Sequence, residues 1–136
     1  MTCNKSALKA PALLALLFLA VSCNSPRQLQ SVIVRPVSAD AQDFPGGKVR
    51  FTATGMFSKP PLAITPLAVK WSSGWSWNST PSSSVSINSQ GVATCNPGFA
   101  GAASVMAFAP ANPNLPLSKI GPHTKLYSAA AEIICP

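Results

Sequence analysis

Acidic side chains are scarce in this chain of 136 residues, which carries three Asp and Glu against ten Lys and Arg. Histidine and tyrosine occur once each, as His123 and Tyr127. General acid–base catalysis needs titratable groups that converge, and so few of them argue against an enzyme. The acids are Asp40, Asp43 and Glu132. Asp40 and Asp43 are close enough in sequence to share a calcium site, but a hard cation takes about six to eight oxygens. A solvated turn is the expectation there. His123 follows Gly121-Pro122, and no serine stands in a G-x-S-x-G elbow that would pair with it. There is no glycine-rich phosphate loop and no zinc-ligand spacing, so neither cofactor nor metal is expected. The basic residues never gather into a run, which leaves a nucleic-acid partner without support. Helical periodicity is also missing after residue 28, and 14 prolines scattered along the chain point the same way.

What is present begins at the N-terminus. Lys5 and Lys9 precede Ala10 to Val21, APALLALLFLAV, a stretch with no charge. It is shorter than the roughly 20 apolar residues that span a bilayer and has the length of a signal-peptide core. Leu19-Ala20-Val21-Ser22-Cys23 follows, then polar Asn24-Ser25-Pro26-Arg27. This resembles the lipobox of bacterial lipoproteins, in which a cysteine after small residues is diacylated and becomes the mature N-terminus. Ala20 stands where that family more often has Leu. The resemblance implies a cleaved signal over 1–22, lipidation of Cys23, a short tether over 23–28 and one domain over 29–136. It also implies a place in the bacterial cell envelope, and Asn24 in place of Asp favours the outer membrane. An ordinary secretory signal ending near Ser22, with Cys23 a spare thiol, is the alternative, and a retained N-terminal membrane helix is the more distant one.

After residue 22 the chain has eight Lys and Arg against three Asp and Glu, a net charge of +5. A mildly cationic, solvated surface is the expectation, with attraction to anionic lipid or glycan a second reading. Cys95 and Cys135 remain once Cys3 and Cys23 are assigned to the signal and the lipid. In an oxidising compartment a disulfide between them is the default. Free thiols and a metal site are the rivals, and the metal would lack ligands.

The rest reads as strands. Leu29 to Pro36 has three β-branched residues in a row. Lys48 to Phe57 alternates, with Val49, Phe51 and Ala53 on one face and Lys48, Arg50 and Thr52 on the other. Leu67 to Ser73, Val85 to Ile87, Gly91 to Thr94, Ala102 to Ala109 and Ala129 to Cys135 complete the set. Segments 58–66, 72–84 and 110–128 read as loops, and 58–66, with three prolines, cannot be a central strand. About seven short strands at this spacing suggest an all-β sandwich.

The succession SVIVRP, GGKVRFTATG, VKWSS, VSINSQGVATC and GAASVMAFAP is similar to the bacterial Ig-like domain, group two, over about residues 30–109. That resemblance implies an Ig-like sandwich with Trp71 between its sheets. The three loops are longer than the family pattern, and the cysteine pair is not general to it. Trp75 and Trp77 sit two apart in a Ser-rich loop, where they either cap a sheet edge or stack on a ligand such as a sugar. Asn78-Ser79-Thr80 matches a glycosylation acceptor, which a bacterial lipidation signal makes accidental. The expected role is a lipid-anchored, non-catalytic module for adhesion, protein interaction or spacing, with an envelope protein or glycan as partner. The alternatives are a carbohydrate-binding module using Trp75 and Trp77, and a protease inhibitor using the Pro-rich loop 110–122.

Overall fold

The computed structural model describes residues 25–74 and 84–136. Among these, regular structure is strand apart from three single 3-10 turns. The first layer is built on one long line. β1 (Leu29–Arg35) runs antiparallel to β4 (Thr52–Phe57), with Val34 opposite Ala53. β3 (Lys48–Arg50) leads into β4 through Phe51, whose N–H donates to Gly91 O at 2.8 Å. β3 pairs with β8 (Val92–Cys95), which pairs in turn with β7 (Val85–Ile87). A two-residue strand, β5 (Ala63–Ile64), flanks β4.

The second layer is built on β9 (Gly101–Pro110). β6 (Lys70–Ser73) and β10 (Lys125–Tyr127) both pair with it at Phe108, so they occupy opposite edges. β11 (Ala131–Cys135) continues along the edge taken by β10. β2 (Ser38–Asp40) closes the layer, parallel to β11 with Ala39 opposite Ile133. Hence the chain crosses from the first layer to the second at Pro36 and Val37. With β1, β3/β4, β8 and β7 in one layer and β6, β9, β10/β11 and β2 in the other, the chain forms an all-β sandwich.

Alternation explains why these segments bury the faces they do. Val49, Phe51 and Ala53 are buried while Lys48 and Arg50 are exposed, as period two requires. β9 sends Ala103, Val105, Ala107 and Ala109 inward. These small side chains share the interior with the larger Phe51, Ile133, Val49 and Val85, all fully buried. Trp71 is half-buried and packs against this core from β6.

Several expectations need correction, and the loop read over 58–66 is one, since Ala63–Ile64 inside it forms β5 against β4. The strand read over Leu67 to Ser73 begins at Lys70, after Pro66 and a stretch in which Leu67 N donates to Ala53 O. Ser38–Asp40 forms a strand that its polar composition hid, since it is specified by pairing with β11. The loop read over 110–128 contains β10, and the last strand starts at Ala131 rather than Ala129. Between β10 and β11, buried Ser128 bridges the break. Its N–H donates to Ala107 O at 2.8 Å, and its Oγ accepts from Ala107 N at 3.0 Å. A hydroxyl thus stands in where the ladder loses a carbonyl.

Candidate functional site

The antiparallel register defines two poles. At one, β1 starts while β4 and β9 end, and Leu29 N donates to Ala111 O at 2.8 Å. The turn after Phe57 and the loop 111–124, closed by Ala111 N donating to Thr124 O at 2.9 Å, belong to this tether pole. At the other, β8, β9 and β11 meet at Cys95, Gly101 and Cys135. The turn 44–47, which precedes Lys48, and the C-terminal Pro136 lie there too.

Residues 25–28, the described part of the tether expected over 23–28, make hydrogen bonds to the fold. The Arg27 guanidinium stacks 3.8 Å from the centre of the Phe57 ring. Its Nε donates to Lys59 O at 3.0 Å, and a terminal nitrogen donates to Pro61 O. Lys59 Nζ reaches back to Ser25 O. Gln28 N donates to Ser58 Oγ at 3.0 Å, and Ser58 N donates to Gln28 O at 2.9 Å. A planar cation on an aromatic face, with carbonyls satisfying its donors, is a geometry suited to arginine. Cys23 lies outside the described residues, two positions before Ser25.

Cys95 and Cys135 form a disulfide, with Cα atoms 5.8 Å apart. Cys95 ends β8 in one layer and Cys135 ends β11 in the other, so the bond staples the two layers at the distal pole. A shallow groove of about 450 Å³ opens beside it, lined in part by Phe44, Gln42, Thr94 and Pro136.

Trp75 and Trp77, with the acceptor pattern Asn78-Ser79-Thr80, lie outside the described residues. The residues that flank segment 75–83 are described. Gly74 N donates to Ser104 O at 2.8 Å, and Ser73 Oγ donates to Val85 O at 2.6 Å. Ser84 O accepts from Asn96 N at 2.9 Å. Both flanks therefore lie at the distal pole. Trp71, by contrast, is held in place: a Cβ added to Gly91 would come within 2.8 Å of its ring and 2.4 Å of Phe51 O.

The scarce titratable groups are dispersed. Asp40 caps a 3-10 turn, its carboxylate accepting from Gln42 N at 2.9 Å, and Asp43 ends that turn. Glu132 is exposed on β11 opposite Ser104, and His123 is exposed in the turn 121–124. Among the described residues no group of three or more His, Cys, Asp or Glu is placed to hold a metal. Also among them, no helix is long and apolar enough to cross a membrane.

One cluster was not read from the sequence. Phe108 and Tyr127 face each other across β9 and β10, with ring centres 5.6 Å apart. Lys125 Nζ lies 5.5 and 5.0 Å from those two centres, and Lys70 is opposite Phe108 on the other edge. The alternation of β9 would have put Phe108 outward with Met106 and Ser104. The aromatic partner, however, sits in a strand that was read as loop. No protein-family model matches the chain, and no curated protein matches it.

Proposed function

We propose that this chain is a lipid-anchored, non-catalytic Ig-like module of the bacterial cell envelope, in the manner of the group-two Ig-like domains, that presents its distal pole to a partner. The observation that carries this reading is the apolar run 10–21 leading into Ser22-Cys23, with the first strand of a sandwich six residues further on at Leu29. Two or more acyl chains hold a protein stably on a bilayer, where one does not. Supporting a binding rather than catalytic role, the chain has three acids and one histidine, and Asp40 serves as a turn cap. Placement on the outer membrane rests on Asn24 alone. Growing cells with radiolabelled palmitate tests the anchor: label should enter the chain and be lost in Cys23→Ala. Labelled Cys23→Ala chain, or unlabelled wild type, would remove it.

A second reading is favoured by the placement of Gly74 and Ser84. The segment with Trp75 and Trp77 joins two residues at the pole opposite the anchor, the same pole as the groove beside Phe44. Aromatic side chains stack on sugar rings, so the partner of this reading is an envelope glycan. Glycan-array binding by the wild type should vanish in the Trp75→Ala, Trp77→Ala double variant. Binding that survives the double change assigns the glycan elsewhere. The protease-inhibitor reading is weaker, because the loop 111–124 belongs to the tether pole, beside the anchor.

A further inference from the structure

The positive charge of the fold is not spread evenly. Arg27, Lys59 and Lys125 lie at the tether pole. Lys70 pairs near the tether end of β9, at Phe108, and Lys119 is exposed in the loop closed at Ala111 and Thr124. The other half holds Arg35, Lys48 and Arg50, together with all three acids: Asp40 pairs with Ile134 of β11, Glu132 lies on β11 itself, and Asp43 follows Asp40 in the next turn. That half sums to zero from three of each sign, and segment 75–83 adds no charge. The whole excess of +5 therefore sits on the tether pole, with no acid among the residues named there. Leu62, 56% exposed, is at the same pole in the turn after Phe57.

We propose that the tether pole is a membrane-contacting face that takes anionic lipid headgroups, so that the module stands upright on the bilayer instead of swinging on its anchor. This rests on the lipid-anchor reading, and the described geometry sharpens it. Arg27 and Lys59 pin the chain from Ser25 onward, so only the steps from Cys23 to Ser25 separate lipid from fold. Two such steps span at most about 7 Å. That is within the screening length of roughly 8 Å at physiological salt, so lysines at this pole feel the surface potential of an anionic bilayer. Leu62 adds an apolar contact at the headgroup boundary. The distal pole then stands off by the length of β9, ten residues or roughly 30 Å.

The test uses the full chain, processed in a bacterial host and reconstituted with vesicles of phosphatidylcholine, with or without phosphatidylglycerol. A fluorophore is placed through an azide-bearing residue at position 62 or position 42, replacing exposed Leu62 or Gln42. Flotation reads anchoring, and quenching by a headgroup-labelled lipid reads which pole is near the surface. The proposal predicts flotation with both vesicle types and stronger quenching at 62 than at 42 in anionic vesicles. Lys70→Gln with Lys119→Gln should weaken that preference about tenfold or more, from the surface attraction of each lysine. Lys48→Gln with Arg50→Gln removes equal charge from the other half and should leave it unchanged. Flotation with equal quenching at the two positions, or an equal effect of both double variants, overturns the upright pole and leaves the anchor standing. Salt-sensitive flotation with anionic vesicles only supports the basic pole and overturns the anchor. Flotation with neither overturns both.

Discussion

Gly91 and Ser128 show how single residues set the geometry of this sandwich. Gly91 has φ of +78°, and an added Cβ would meet the Phe51 carbonyl and the Trp71 ring. Backbone conformation and close approach therefore demand glycine together. Gly91→Ala should lower unfolding stability by about 3 kcal/mol in chemical denaturation. Ser128 acts through its hydroxyl, which accepts from the buried N–H of Ala107. Ser128→Ala leaves that N–H without a partner and should cost about 2 kcal/mol. An unchanged midpoint in either variant would contradict the packing described. Deletion of the Trp71 side chain should cost about 3 kcal/mol, since the indole fills space between β6 and the Gly91 turn.

Among the elements, the bond between the ends of β8 and β11 is the main covalent constraint. Its two cysteines are separated by 40 positions, and closing such a loop in the unfolded chain stabilises a fold by about 4 kcal/mol in the chain-entropy model. Reductant should therefore shift the denaturation midpoint sharply, and Cys135→Ala should abolish that sensitivity. Strands that carry their own alternation, such as Lys48 to Phe57 and Ala102 to Ala109, were legible because burial on one face writes a period of two into the sequence. β2 and β10 were not. Ser38–Asp40 and Lys125–Tyr127 are three-residue edge segments, specified by partners distant in sequence. The same cause hid the row of Lys70, Phe108, Tyr127 and Lys125, since reading it required β10 to be a strand. The cysteine pair was legible from the expectation of export to an oxidising compartment, whereas Trp75 and Trp77 were legible only as residue types.

At the scale of the whole molecule, the proposed role divides its tasks between the two poles. The N-terminal pole carries the excess of basic charge and the bonded segment 25–28. The distal pole carries the disulfide, the groove and the residues that flank segment 75–83. In the proposed role, a sandwich with so few titratable groups holds these two surfaces apart, one toward lipid and one toward a partner. This division depends on Cys23 being the mature N-terminus and bearing lipid. Mass analysis of the N-terminal peptide of the chain, extracted from bacterial membranes, tests that directly. The account predicts a peptide that starts at Cys23 and carries diacylglycerol on its sulfur. A peptide that starts at Met1, or one that starts at Cys23 without a fatty acid, would contradict it.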